Sequence, residues 1–123
     1  LGAVGSPGAE AARRCWTEGH DWLAETRGFL TDRRDQLAKR VADDLPGVSL
    51  QSPEATYLAW LDFTALELED EPREWLFEHA KVALSPGPDF GQSGAGFVRI
   101  NTATSAELLD ELVDRISAAL RAR

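Results

Sequence analysis

Few residues in this chain could do chemistry, and most of them have plainer readings. Arg99 stands in "FVRINTAT" (97–104), a single cation in a short apolar run that reads as a strand. Successive strand side chains point to opposite faces, so Phe97, Arg99 and Asn101 share one face while Val98 and Ile100 share the other. The valine and isoleucine are the core pair, which turns Arg99 to water or into a cleft, and on spacing alone a solvated arginine is the plain reading. His20 and His79 lie far apart in the sequence, without cysteine or carboxylate at metal-ligand spacing. Surface or helix-packing roles are expected for both, and no metal is implied. Cys15, beside Trp16 in a helical stretch, has no histidine one turn away to activate it, so it reads as a buried or interfacial small side chain rather than a nucleophile. "GQSGAG" (91–96) has the glycines of a phosphate cradle, but no lysine follows it and it precedes a strand rather than a helix, so a flexible loop is expected. Lys39 in "LAKRV" reads as a solvated helix residue, and Lys81 in "HAKVA" as a charge near the carbonyl end of a helix.

The elements that must position these residues follow from periodicity. After Pro7-Gly8, apolar or small residues recur at Ala12, Trp16, Gly19, Leu23, Thr26, Leu30, Leu37, Val41 and Leu45 in steps of three and four, with a gap at Arg33 and Arg34. This is an amphipathic helical pattern. One helix over residues 9 to 45 would extend on the order of 55 Å at about 1.5 Å per residue. That reach suits a bridge between domains or a surface for a partner, unless Gly28 or Thr31 breaks it in two. Pro46-Gly47 ends it. Residues 48 to 50 and 56 to 63 read as two strands separated by a Ser-Pro turn, the second apolar on both faces apart from Thr56 and Asp62 and therefore central and covered on both sides. Tyr57 and Trp60 fall on opposite faces of that strand as core or domain-interface aromatics. The acidic run "ELEDE" (67–71) is a solvated connector, and Pro72 opens a short helix carrying Trp75, Leu76 and Ala80. "KVALSPG" (81–87) reads as a third strand and "FVRIN" (97–101) as a fourth. Thr104 and Glu107 have the T-x-x-E spacing of a capping box, opening a last helix with Leu108, Leu109, Leu112, Val113, Ile116 and Leu120 on one face. The order predicts an α/β (α+β) sandwich: a long N-terminal helix, then a mostly antiparallel sheet of about four strands covered by helices.

Composition excludes several classes. The 123 residues are 43% hydrophobic and 28% charged, as in a globular domain. Acidic residues outnumber basic ones 21 to 13, for a net charge of -8, and no basic face suited to nucleic acid is evident. No apolar run is long enough to span a bilayer or act as a secretory signal, and a lone Cys15 cannot form an internal disulfide, so a reducing cytoplasm is expected. The chain opens on "LGAVGSPGAEAA" with no methionine anywhere, which suggests a piece of a longer protein.

Three segments carry a resemblance: "TYLAWLDF" (56–63), "VALSPGPDFGQSGAGFVRINTAT" (82–104) and "LLDELVDRISAAL" (108–120). Together they resemble the C-terminal region of pyridoxal-phosphate enzymes of the class I/II aminotransferase superfamily, and within it the cystathionine β-lyase subgroup of carbon-sulfur lyases. Those sequences carry a Y-L-x-W-L-D strand, an S-P-G-x-x-F-G loop and a G-F-x-R-x-N-x-A strand. The helical stretch with "GHDWLAE" (19–25) and "DRRDQL" (32–37) is similar to the family's interdomain helix.

The resemblance implies two parts, an interdomain linker and long helix over 1–45 and a C-terminal small domain over 46–123. It implies that Arg99 matches the arginine holding the substrate's α-carboxylate. It also places "SPGPDFG" near the substrate entrance, with Gly87, Phe90 and Gly91 as a possible pocket loop. The family's Schiff-base lysine sits in a serine-rich motif of the large domain, and neither Lys39 nor Lys81 matches that motif. The resemblance therefore implies no catalytic residue here and no cofactor bound to the 123 residues alone, which should be inactive. The longer parent is expected to be a cytoplasmic homodimer that carries pyridoxal 5'-phosphate and acts on an amino acid. A β-lyase, releasing a thiol, ammonia and a keto acid from cystathionine or a similar cysteine conjugate, is the leading expectation. An aminotransferase is its alternative, and a stand-alone interaction module with the same small-domain fold is the alternative outside enzymology.

Overall fold

The computed structural model describes residues 5–123. Helix α1 covers Ser6–Glu18 and α2 covers His20–Asp44. The break between them falls at Gly19 rather than at Gly28 or Thr31. A Cβ on Gly19 would sit 2.4 Å from the Cys15 carbonyl oxygen, so glycine alone fits the closing turn of α1, and its N–H caps that carbonyl at 3.1 Å. Gly28 has open space around it on the exposed side of α2, where glycine weakens a helix without ending it. α2 stops at Leu45, and Gly47 turns the chain with φ +87°.

Strands β1 (Ser49–Gln51), β2 (Leu58–Asp62), β3 (Ser85–Pro86) and β4 (Phe97–Asn101) form one antiparallel sheet in the order β1-β2-β4-β3. Alternation sorts its side chains. Ala59 and Leu61 of β2 and Val98 and Ile100 of β4 are buried, and they join Leu37, Val41 and Leu45 from the α2 end in one hydrophobic cluster. On the opposite face Leu58, Trp60 and Asp62 are only half-buried. β2 is thus internal in the sheet, as its apolar sequence suggests, but this chain covers one of its faces and leaves the other partly open. Of the core or domain-interface roles expected for Tyr57 and Trp60, the core one does not hold: Trp60 lies on the open face, and Tyr57 precedes the strand and is exposed.

Helix α3 (Pro72–Trp75) starts on its proline and widens into a π turn over Leu76–Ala80. Lys81 then leaves the helix with φ +57°, and its ammonium donates to the Glu78 carbonyl oxygen at 2.7 Å. The helix-end reading of Lys81 holds. The strand expected in "KVALSPG", cut off by Pro86 and Gly87, shrinks to Ser85–Pro86: after the left-handed exit at Lys81, Val82 turns into the core and gives its N–H to the Leu76 carbonyl at 3.2 Å rather than to a ladder.

Helix α4 (Ala106–Arg121) lays Leu109, Val113 and Ile116 into the core. Its N-cap is Ser105, whose hydroxyl accepts the Leu108 N–H at 3.2 Å, so the cap expected at Thr104 lies one residue further on. Glu107 consequently sits in the first turn without closing a capping box. Its carboxyl is held below the usual range, first by its own backbone N–H and then by the Ser105 hydroxyl. Leu108, assigned to the apolar face by spacing, is 58% exposed, since it lies about 100° around the helix from Leu109, beyond the edge of the buried Leu109, Val113 and Ile116 stripe. Buried Thr102 closes the sheet end by donating its hydroxyl to the Tyr57 carbonyl at 3.1 Å.

Candidate functional site

β4 supplies the one candidate that the sequence singled out. Arg99 lies on the open face of the sheet, directly across the ladders from Trp60 of β2 and Ser85 of β3. It is half-buried, flanked on the core side by Val98 and Ile100 at 0% and 1% exposure. The alternation of "FVRIN" put it on that face.

Above the strand, residues 87–96 fold into two short 3₁₀ turns, Gly87–Phe90 and Gln92–Gly94, joined at Gly91 with φ +128°. The loop is clasped by backbone contact. A Cβ on Gly87 would lie 2.0 Å from the Gly94 oxygen, and one on Gly94 would lie 2.1 Å from the Gly87 oxygen. Two hydrogen bonds along the loop, Gly91 N–H to the Pro88 carbonyl at 3.1 Å and Gly94 N–H to the Gly91 carbonyl at 3.0 Å, complete it. The stretch that reads as a flexible glycine loop is a self-locked turn, with Gly94 where no side chain fits and Gly91 in a positive-φ conformation that glycine adopts without strain.

This fold brings Phe90 onto Arg99. The guanidinium carbon lies 4.2 Å from the centre of the Phe90 ring, and Trp60 meets the same ring edge to face at 5.4 Å and 87°. Among the described residues no carboxylate forms an ion pair with Arg99. A guanidinium stacked on an aromatic face keeps its N–H edge free, and that edge is the part that can grip a carboxylate with two parallel hydrogen bonds. Arg99 also lines an open groove of about 600 Å³ with Lys81, Ser85, Asn101, Leu108 and Arg115. Glu111 lines the same groove and pairs with Arg115 at 2.5 Å, so among the lining cations Arg99 and Lys81 are the two outside an ion pair with the described residues.

Of the loop residues singled out in the sequence, Phe90 touches Arg99 while Gly87 and Gly91 shape the backbone that delivers it. Trp60 was not foreseen beside them. Its position depends on the register of two strands far apart in the sequence, which no local pattern reveals. The other candidates lie elsewhere. His20 is exposed near the start of α2, and His79 packs on Trp75 at 4.8 Å between ring centres. Cys15 is exposed, so of the buried or interfacial placements expected for it the buried one does not hold within this chain. Lys39 is exposed and paired with Asp43 one turn on. Among the described residues no group of three His, Cys, Asp or Glu side chains is arranged to hold a metal, and no helix is long and apolar enough to cross a membrane.

No protein-family model matches the chain. It is similar to cystathionine β-lyase PatB of Bacillus subtilis, 33% identical over 121 residues that cover 98% of this chain and 31% of that protein. Its fold matches cystalysin from Treponema denticola, a structure containing pyridoxal 5'-phosphate, with TM-score 0.87 and 27% identity over 98% of this chain and 31% of that one. It equally matches alanine aminotransferase from Pyrococcus furiosus, with TM-score 0.89 and 26% identity over 98% of this chain and 31% of that one. The chain spans about a third of the length of the curated relatives it matches. The four-stranded antiparallel sheet, the helices packed on it and the motifs in their order agree with these likenesses, and the chain belongs to the superfamily that unites the cystathionine β-lyase type carbon-sulfur lyases with the class I/II aminotransferases.

Proposed function

We propose that these residues are the small domain, with its connecting helices, of a pyridoxal-phosphate-dependent carbon-sulfur β-lyase, and that Arg99 binds the α-carboxylate of its amino-acid substrate. In this reading residues 1–45 link to a larger domain and 46–123 form the small one. One observation carries it: Arg99 stands on the uncovered face of the sheet, stacked on Phe90, with no carboxylate of the described residues paired to it. An arginine kept for structure would be expected to have a partner. Similarity to PatB supports the lyase over other chemistries of the superfamily.

In this reading neither Lys39 nor Lys81 holds the cofactor. Both lysines are engaged locally, Lys39 with Asp43 and Lys81 with the Glu78 carbonyl. In this reading the cofactor is held by residues outside the chain, and when bound it supplies an electron sink for the charge left at Cα. The present residues orient the substrate. A clamped carboxylate fixes rotation about Cα, which would set the direction in which the Cα–H bond is presented to the group that removes its proton. Removal of that proton and departure of the β-sulfur as a thiol leave an enamine, which water converts to a keto acid and ammonia. Cytoplasmic location and a homodimer belong to the same proposal for the parent protein.

The test uses the full-length protein. Incubation with cystathionine should release pyruvate and free thiol in equal amounts. Conversion of the cofactor to its amine form without thiol would favour the aminotransferase reading, which the likeness to alanine aminotransferase keeps in play. Arg99→Ala should lower kcat/KM by on the order of 100-fold, as expected for losing charge-assisted hydrogen bonds to a carboxylate, with cofactor absorbance retained. Unchanged kinetics would remove Arg99 from the site.

A further inference from the structure

We propose that Phe90 is a positioning residue for Arg99, holding the guanidinium edge-on to the substrate carboxylate, with Trp60 as the brace behind it. This rests on the carboxylate-clamp reading and goes beyond it, because it explains how a long, flexible side chain on an open sheet face is kept ready to bind.

An unrestrained arginine loses rotamer freedom when it grips a ligand, and that loss subtracts from affinity. Pre-stacking on a ring removes part of the loss in advance. The contact here is close, 4.2 Å from guanidinium carbon to ring centre, and it is one corner of a closed triangle. Trp60 is the cross-strand neighbour of Arg99 and meets Phe90 edge to face at 5.4 Å. Each of the three therefore limits the other two. The backbone adds to this, since the Gly87 to Gly94 clasp leaves no room for a Cβ at either position and fixes the height at which Phe90 leaves the loop. Phe90 is 49% exposed, so burial of its ring within this chain does not account for its placement. Its contacts with a cation and an aromatic edge do.

The experiment uses the full-length holoenzyme. Phe90→Leu keeps an apolar side chain and removes the ring. It should cut kcat/KM for the amino-acid substrate by roughly 3- to 30-fold, mostly through KM, while Phe90→Tyr retains near-normal values. The decisive readout is coupling. If Phe90 acts through Arg99, Phe90→Leu costs little further in an Arg99→Ala background. A loss of equal size in both backgrounds overturns the positioning role while leaving the clamp intact, and so does less than a twofold effect of Phe90→Leu alone. If Arg99→Ala itself changes nothing, the clamp fails and the positioning role falls with it. Should Phe90→Leu fail to fold, fluorinated phenylalanines at position 90 keep the shape and weaken the negative ring face. A loss graded with fluorine number is expected, and a flat response overturns the proposal.

Discussion

Gly94 shows how much of this site rests on single atoms. Its carbonyl and that of Gly87 pass so close that a methyl group on either would occupy the other's oxygen. Gly94→Ala therefore cannot be absorbed by a side-chain rotation, and the backbone of the loop must move. The expected cost is about 1–3 kcal/mol by thermal or denaturant unfolding, the range for forcing extra volume into a tight contact. Gly91→Ala acts differently, since open space surrounds its Cβ position but φ is +128°, so only backbone strain opposes it. A Gly94→Ala variant with wild-type stability would contradict the clasp. At this scale the sequence was informative about direction and silent about company. Strand alternation put Arg99 on the outer face, and the resemblance named Phe90 as a pocket residue. The stack between them needs a loop path that glycines permit but do not specify.

Between α2 and α4, position depends on a cluster around Arg40. Its three guanidinium nitrogens reach Asp44 at 2.5 Å, Asp110 at 2.6 Å and Asp114 at 2.5 Å, which ties the end of α2 to the middle of α4. Ser117, buried in α4, donates to the Asp44 carbonyl at 2.9 Å beside it, and the Gln36 amide donates to the Ala106 carbonyl at 3.0 Å at the other end. Removing Arg40 leaves three carboxylates facing one another. Arg40→Ala should therefore lower stability at neutral pH by on the order of 1–2 kcal/mol, between the values for exposed and buried pairs, and high salt should narrow the difference. Acid acts on the same cluster. The Gln36 amide and then the Arg40 guanidinium hold the Asp110 carboxyl below its ordinary value of 3.8, so the unfolded chain takes up this proton at a higher pH than the folded one. The stabilisation is whole above the ordinary value and disappears as pH falls through the depressed one. Asp110→Asn should flatten that acid limb in unfolding measured against pH, and an unchanged limb would show that Asp110 does not contribute. Element types and order were readable from periodicity, whereas boundaries moved wherever a local contact outweighed the pattern. Gly19 ends a helix because its backbone is crowded, Ser105 displaces Thr104 because its hydroxyl reaches a free N–H, and the third strand starts late because Val82 gives its N–H to Leu76.

Across the whole molecule, stability is unevenly distributed, and the first helix lies at the weak end. α1 buries none of its residues, whereas α2 buries Leu37 and Val41 in the common core. The ties within α1 are exposed pairs of Glu10 with Arg13 and Arg14, and such pairs contribute little. A helix of this length is marginal without tertiary support. Trp22 at 69% and Phe29 at 43% exposure, seven residues apart, form an uncovered apolar stripe on α2, and Trp16 at 81% is uncovered on α1. These side chains agree with the proposal that residues outside these 123 lie against them, although of the three the amphipathic spacing read in the sequence included only Trp16. The 123-residue chain by itself should therefore show amides of 9–18 exchanging with solvent nearly as fast as in a free helix, while those around Leu37 and Val41 exchange only on global unfolding. In the full-length protein the same α1 amides should be slowed by at least about tenfold, since their opening would then require separating a packed surface. Hydrogen exchange read by mass spectrometry on both proteins checks this, and α1 protection already complete in the short chain would show that Trp16 and its helix need no cover from elsewhere.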